Sequence, residues 1–310
     1  MKRGFLISNN QKPAPAAHPT QAALAHPGTH DNPKNPPRPP TSPEYRYATA
    51  GAPPQADDEF KCTILPPPQH PTARGPYALC VFHGRRHESA ILSTPGFPAP
   101  VPAPTPPLYH LAPPGPGPQP QTRVCAARHI AAGALIAAER PLFLIPAVAP
   151  AVRVAPPGSL DASPAQVRQL QLRQYNLILE KCLARLPARD RAAFYALEIG
   201  AGAGASGLGP ILERMERHAL GVRVLGGAGE RFESAAVFRD VSRIGHRCAP
   251  NATWEFDVAS FSMLIRAVCP IEKDEEIFIS YVDDESVTGQ ARRAMLEKYG
   301  VDCRCALCTK

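Results

Sequence analysis

Three cysteines near the end of the chain have a spacing that suits metal binding. Cys303, Cys305 and Cys308 follow the pattern Cys-x-Cys-x-x-Cys, and a tetrahedral zinc site needs one further ligand. Cys248 is the candidate fourth ligand, and the nearby His246 offers a ring nitrogen as an alternative. The competing interpretation is a set of reduced surface thiols, which would be open to oxidation. The four cysteines are the metal ligands that we predict.

Three further segments have residue types that could form a chemical site with this cluster. Residues 245–251 read Gly-His-Arg-Cys-Ala-Pro-Asn, and an alternating apolar run follows over 261–268. Residues 274–281 read Asp-Glu-Glu-Ile-Phe-Ile-Ser-Tyr, and Tyr299-Gly300 precedes the cysteine triplet. Taken alone, Tyr281 is better explained as a half-buried aromatic residue at the end of a strand.

In order and spacing, these segments resemble the SET-domain protein lysine methyltransferases, most of all the fungal SET proteins that end in a cysteine-rich post-SET segment. The family patterns are Asn-His-Ser-Cys-x-Pro-Asn, Gly-Glu-Glu-Leu-x-x-x-Tyr and Tyr-Gly-Phe-x-Cys-x-Cys-x-x-Cys. Upstream, residues 126–136 and 139–142 look like the opening strands of such a domain. The resemblance covers about residues 122–308.

The resemblance implies a fold, a reaction and a set of site residues. The fold is α+β and mainly β: a SET β-clip with a helical insert and a C-terminal zinc-binding post-SET segment. The reaction is methyl transfer from S-adenosylmethionine to a lysine side chain of a protein substrate, histone or non-histone, which makes the chain a protein-lysine N-methyltransferase. Tyr281 is the expected catalytic residue. The expected cofactor-binding residues are His246, Asn251, Arg123, Gly245 and Tyr299.

Two departures from the family pattern support an alternative function. Gly245 stands where the family has Asn, and Arg247 where it has Ser. Residues 121–123, Gln-Thr-Arg, occupy the place of a glycine loop whose backbone approaches the cofactor closely. The alternative is therefore a catalytically impaired SET-like protein that acts as a zinc-stabilised protein-binding module. A third interpretation is a proline-rich adaptor that uses residues 38–43.

Composition divides the chain into segments. Of 310 residues, 39 are proline, and most of these precede residue 122. Residues 1–57 have few bulky apolar side chains, which predicts disorder. We expect a pre-SET-like opening segment over 58–96 and a proline-rich insertion, or an unspliced intron in the gene, over 97–121. The SET domain should span 122–283 and the post-SET segment 284–310.

The helical insert is predicted over about residues 160–220. Ser163-Pro164 is a favourable helix start, because a hydroxyl can cap the helix and proline suits its first position. Tyr175, Leu179 and Leu183 then recur at helical spacing and indicate one buried face. Pro187 is expected to begin a second helix.

Charge and cysteine content limit the partners that we expect. The net charge of +7 is not concentrated in a dense basic block, so direct nucleic-acid binding is not expected. The start of the chain lacks an apolar stretch long enough for a signal peptide or a membrane span. Nine cysteines without a secretory signal favour metal binding over disulfides. We therefore expect an intracellular monomer, nuclear or cytoplasmic, with no membrane contact.

Overall fold

The computed structural model describes residues 60–70, 76–114, 121–147, 163–199, 207–282, 286–297 and 299–309. All of them belong to one structural unit, residues 38–310. The strands are β1 (Phe60–Leu65), β2 (Ala78–His83), β3 (Tyr109–Ala112), β4 (Arg123–Ala126), β5 (Leu135–Glu139), β6 (Phe143–Pro146), β7 (Leu220–Leu225), β8 (Arg231–Val237), β9 (Gly245–His246), β10 (Ala252–Asp257), β11 (Ser262–Ala267) and β12 (Phe278–Ile279). The helices are α1 (Arg86–Leu92), α2 (Pro164–Leu183), α3 (Ala188–Tyr195), α4 (Pro210–His218), α5 (Gly289–Glu297) and α6 (Ala306–Thr309).

A five-stranded sheet separates two hydrophobic cores. Its strand order is β1-β2-β6-β8-β7, and only the β2–β6 pair is parallel. Because successive side chains of a strand point to opposite faces, Leu79 and Val81 of β2 enter one core, whereas Cys80 and Phe82 enter the other. A strand buried on both faces reads as a continuous apolar run, as residues 77–82 do.

The helical insert covers one face of this sheet. The α2 helix begins with a capping box, in which the Ser163 hydroxyl accepts from the Gln166 N–H and the Gln166 side chain accepts from the Ser163 N–H. Tyr175, Leu179 and Leu183 are buried against the sheet. The predicted start and buried face of this helix are therefore confirmed, as is the second helix, which begins directly after its N-cap residue Pro187.

The smaller sheets complete the domain on the other side. Three antiparallel strands have the order β10-β11-β5, and β3 pairs with β4 in a separate antiparallel hairpin. The alternating run that the sequence indicated over 261–268 forms β11. The described residues thus form more strands than helices; α1 lies between β2 and β3, and the other helices lie in the insert and near the C-terminal end of the chain.

The boundaries that we predicted for the opening strands are wrong. The structure ends β4 at Ala126, begins β5 at Leu135 and begins β6 at Phe143. The intervening residues form a turn in which Gly133 has a φ of 80°, a conformation that favours glycine. Two hydrogen bonds between the backbones of Ile130 and Ile271 hold this turn.

Residues 97–114, from the expected proline-rich insertion, pack against the rest of the domain. The Ala99 N–H donates to the Ala259 carbonyl at 2.7 Å, and the Tyr109 hydroxyl donates to the Asp240 carboxylate at 3.0 Å. The segment also supplies β3. This part of the proline-rich sequence is therefore joined to the domain by specific hydrogen bonds.

The prediction of disorder for residues 1–57 lies outside the described residues. Among the described helices, none combines the length and the apolar character that a membrane span requires.

Candidate functional site

Two short parallel strands form the centre of the candidate site. Gly245 and His246 of β9 pair with Phe278 and Ile279 of β12. The residue directly before β12 is bound to β4, because the Ile277 N–H donates to the Val124 carbonyl at 2.8 Å. Segments that are far apart in the sequence, 245–251 and 274–281, therefore lie side by side.

Tyr281 is fixed at the end of this crossing by both its backbone and its hydroxyl group. Its N–H donates to His246 Nδ1 at 3.0 Å, and its hydroxyl donates to the Ile244 carbonyl at 2.6 Å. The Tyr299 ring lies 4.7 Å from the Tyr281 ring, centroid to centroid. Burial, assisted by Tyr299 and Glu276, raises the pKa of Tyr281 well above its ordinary value of 10.0. The phenol therefore remains protonated at neutral pH.

His246 connects Tyr281 to the cysteine cluster. Because Nδ1 accepts a hydrogen bond from the backbone of Tyr281, the neutral ring carries its proton on Nε2. That Nε2 lies 3.1 Å from the Cys248 sulfur and donates to it. Burial, with a smaller contribution from Arg292, lowers the pKa of His246 to about 4, so the ring is neutral at neutral pH.

Asn251 joins the two segments through its side-chain amide. Its Nδ2 donates to the Glu276 carbonyl at 2.9 Å and to Glu275 Oε1 at 3.2 Å. Its Oδ1 accepts from the Phe278 N–H at 2.8 Å. Asn251 is 5% exposed, and a side chain that both donates and accepts is needed at this position.

The four predicted metal ligands are close together in the structure. The sulfur atoms of Cys248, Cys303, Cys305 and Cys308 all lie within 4.8 Å of one another. Cys248 Sγ is 3.7 Å from Cys303 Sγ and 3.6 Å from Cys308 Sγ. With Zn–S bonds of about 2.3 Å, the sulfurs of a tetrahedral site are about 3.8 Å apart. The donor set and its spacing therefore fit zinc.

A buried arginine lies against this cluster. Arg292 of α5 is 1% exposed, and its Nε donates to Cys248 Sγ at 3.3 Å. Its two terminal nitrogens donate to the Val287 carbonyl at 3.2 Å and the Val282 carbonyl at 3.1 Å. Burial raises the pKa of the Cys248 thiol, and the Arg292 guanidinium opposes this rise. Arg292 thus favours the thiolate form that binds a metal.

Charged side chains surround Gly245 on the opposite side of the crossing. Arg123 Nη1 lies 3.8 Å from Glu276 Oε2, and the Arg247 guanidinium lies 4.1 Å from the centre of the Phe278 ring. Burial raises the pKa of Glu276, whereas Arg123 and Arg247 lower it. This face of the site therefore offers two positive groups and one negative group.

Comparison with known proteins identifies the family. The family model described as "SET domain" matches residues 122–282, which is more than half of the chain. This chain belongs to the SET-domain family. The helical insert, the β9–β12 crossing and Tyr281 all lie within the matched residues, and the cysteine triplet follows them.

Several curated methyltransferases match parts of this chain. Histone-lysine N-methyltransferase ASHR1 of Arabidopsis thaliana is 35% identical over 79 residues, which are 26% of this chain and 16% of that protein. Histone-lysine N-methyltransferase set5 of Schizosaccharomyces pombe is 31% identical over 68 residues, 22% of this chain and 21% of that protein. Human N-lysine methyltransferase SMYD2 is 34% identical over 77 residues, which are 24% of this chain and 17% of that protein. The chain thus spans about a fifth or less of these relatives.

A solved structure, the SET domain of LSMT bound to lysine and AdoHcy, matches 69% of this chain and 54% of that chain. The identity is 12% and the TM-score is 0.29. At this TM-score the likeness gives no detail of the site.

Most of the predicted site residues lie close together in this SET domain. Tyr281, His246 and Tyr299 are in contact, and the four cysteines form one cluster beside them. Arg123 lies on the charged side of Gly245, and it is linked to Glu276. The sequence reasoning missed Arg292 and did not single out Glu276. Glu276 lies within a family pattern that could have indicated it, whereas nothing in the sequence distinguishes Arg292 from its neighbour Arg293.

Proposed function

We propose that this SET domain transfers a methyl group from S-adenosylmethionine to a lysine side chain of a protein substrate. The supporting observation is the placement of Tyr281, whose buried phenol is held neutral at the crossing of two strands. The names of the curated relatives, which include histone-lysine and N-lysine methyltransferases, support the substrate class. We extend the proposal to both histone and non-histone proteins.

The residues proposed to hold the methyl donor lie around β9. When bound, S-adenosylmethionine supplies an electrophilic methyl group on a positively charged sulfur. The proposed donor space lies beside the bare backbone of Gly245, where a methyl group at its Cα would lie only 3.2 Å from the Phe278 ring, so a larger side chain would have to displace that ring. His246 and Tyr299 border this space next to Tyr281, and Arg123 borders the charged side. Asn251 acts by positioning, because its amide hydrogen-bonds to residues 275–278.

Tyr281 is the proposed catalytic residue. The acceptor lysine must be neutral to attack, although its ordinary pKa is about 10.4. A protonated phenol whose orientation is fixed by the Ile244 carbonyl can direct its oxygen lone pairs toward the amine and help to orient it. The tilted rings of Tyr281 and Tyr299 supply an apolar wall, and exclusion of water there disfavours the charged amine.

The cysteine cluster is proposed to hold one zinc ion as a structural centre. Four thiolates complete a tetrahedral set and leave no open position for a substrate. The ion would fix residues 303–308 against Cys248. His246 connects Cys248 to Tyr281 by two hydrogen bonds, so loss of the cluster should disturb the proposed catalytic residue as well.

A specific observation supports a second candidate function, a SET-like protein-binding module without catalysis. Arg123 and Arg247 occupy positions where the family pattern has small or polar residues, and both affect Glu276 beside Gly245. If these side chains fill the donor site, the zinc-stabilised domain folds but does not bind the donor.

The first test is calorimetric titration of the full, zinc-loaded chain with S-adenosylmethionine, followed by assay of methyl-lysine on a histone mixture. Wild type should bind the donor and form methyl-lysine. Tyr281→Phe should bind the donor with a similar Kd and lose at least about 100-fold in rate, because only the oxygen that orients the amine is removed. A folded, zinc-loaded wild-type protein that does not bind the donor would favour the binding module.

A further inference from the structure

Two charged side chains lie near Gly245. A methyl group added at its Cα would lie 3.4 Å from Glu276 Oε1, as well as close to the Phe278 ring. The Arg247 guanidinium lies over the same ring. The Phe278 ring and the Glu276 carboxylate therefore already take up the space that a side chain at position 245 would enter, and the Arg247 guanidinium lies beside them.

Both charged groups keep most of their hydrogen-bonding capacity. Within the part of the chain that the structure describes, the Glu276 carboxylate accepts no hydrogen bond, and its contact with Arg123 at 3.8 Å is an ion pair only. The Arg247 guanidinium lies 4.1 Å from the centre of the Phe278 ring, and within the described residues its N–H groups donate no hydrogen bond. The Glu276 side chain is 25% exposed, so its charge is only partly hydrated.

We propose that Glu276 and Arg247 bind the α-amino group and the α-carboxylate of the methyl donor, in place of the asparagine that the family pattern has at position 245. This inference rests on the proposed function, because it assumes that S-adenosylmethionine binds here. It gives a specificity role to Glu276, which lies within the family pattern, and to Arg247, which departs from it.

The chemistry of the pair matches a zwitterion. A carboxylate accepts hydrogen bonds from an ammonium group, and a guanidinium donates two parallel bonds to a carboxylate. An asparagine side chain could make weaker forms of both contacts. Gly245 lacks that side chain, and the Phe278 ring and the Glu276 carboxylate lie where it would begin. The charged pair then takes over the contacts to the ligand.

Two ligands distinguish recognition of the α-amino acid part of the donor from a general change in the pocket. S-adenosylhomocysteine carries the α-amino acid, whereas methylthioadenosine carries the same nucleoside and thioether without it. We would titrate the full, zinc-loaded chain with both ligands by calorimetry. The variants are Glu276→Gln and Arg247→Ser, of which the second restores the family residue. The control is Glu272→Gln, which removes the same charge from an exposed position on the turn before Glu276.

The expected result is a loss that depends on the ligand. Glu276→Gln and Arg247→Ser should each weaken S-adenosylhomocysteine binding by about 10- to 100-fold, the range for one charge-assisted hydrogen bond. Methylthioadenosine should bind each variant within about 2-fold of wild type, and Glu272→Gln should behave as wild type with both ligands.

Other results would overturn the inference in distinguishable ways. If both variants bind S-adenosylhomocysteine as wild type does, the donor binds without these contacts and the proposed function stands. Equal losses for both ligands would show that the variants disturb the pocket and not amino-acid recognition. Failure of the wild type itself to bind either ligand would overturn donor binding, and this inference with it.

Discussion

Arg292 is the side chain that most directly connects the cysteine cluster to the rest of the fold. Four thiolates around one Zn²⁺ carry a net charge of −2, and a buried negative group is stable only when it is paired. Arg292 supplies the positive charge at Cys248 and donates to two carbonyl groups. It therefore offsets part of the negative charge of the cluster and orders the backbone around it.

Replacement of Arg292 should weaken zinc binding without removing a ligand. We expect Arg292→Met to lower zinc affinity by about 10- to 100-fold, the usual range for a residue that supports a metal ligand. Cys305→Ser should cost more, because it removes a ligand. Competition with a chromophoric chelator measures both affinities.

The neighbouring arginine provides the control for this prediction. Arg293 lies on the same helix and is exposed, so Arg293→Met should retain wild-type affinity. Equal affinities for Arg292→Met and Arg293→Met would mean that the arginine at 292 has no influence on the metal.

At the scale of elements, Glu139 at the end of β5 holds the turn that leads into β9. Its two carboxylate oxygens accept hydrogen bonds from the backbone N–H groups of Arg239, Asp240 and Val241, at distances between 2.7 and 3.3 Å. Burial raises the pKa of Glu139 from 4.5 to about 7, although these N–H groups lower it. The orientation of the turn thus depends on a carboxyl group that titrates near neutrality.

This titration should appear in the pH dependence of stability. Between pH 4.5 and 7 the folded protein holds a proton on Glu139 more tightly than the unfolded chain does, and this tighter binding stabilises the folded state. The stabilisation is complete below pH 4.5 and is lost as the pH rises through 7. Glu139→Gln should remove a pH-dependent change of about 2 to 3 kcal/mol from the free energy of unfolding over this interval. Urea denaturation at several pH values measures it. An unchanged pH slope in Glu139→Gln would contradict the prediction, and Glu272→Gln is the matched surface control.

For the whole molecule, Arg140 joins segments that are distant in the sequence. It is 2% exposed and donates to the carbonyls of Ser260 at 3.0 Å, Pro76 at 3.3 Å and Ala99 at 3.1 Å. The proline-rich segment, the opening strands and the β10–β11 turn therefore meet at one guanidinium group.

Removal of this group should destabilise the entire domain. Arg140→Met leaves three carbonyls without their donor, and we expect a loss of about 3 to 5 kcal/mol in the free energy of unfolding. Urea denaturation followed by circular dichroism measures this loss. Arg128→Met, at an exposed position, should change the stability by less than about 0.5 kcal/mol. A similar small change for Arg140→Met would show that water replaces the guanidinium.

Most of the residues of the candidate site could be predicted from the sequence, but only part of the fold could. Tyr281, His246 and the four cysteines were predictable because a family pattern fixes their order and spacing. The helix start at Ser163-Pro164 and the buried face of α2 were predictable because their signals are local.

The missed features depend on contacts between distant residues. Strand β3 lies in a proline-rich segment, and only its pairing with β4 makes it a strand. Arg140 and Arg292 have ordinary sequence surroundings, and their burial follows from which carbonyls and sulfurs the fold brings to them. The boundaries of the opening strands also depend on distant contacts, because the turn that contains Gly133 is held by backbone hydrogen bonds between Ile130 and Ile271.

The distance along the chain between the cysteines also has a kinetic consequence. Cys248 and Cys308 are 60 residues apart, and closing so long a loop costs chain entropy before any contact forms. The sheets must therefore form first and bring the two ends of this loop together. We expect the metal cluster and the β9–β12 crossing to be the last regions to gain protection from hydrogen exchange during refolding, and the first to lose it when the native protein opens locally.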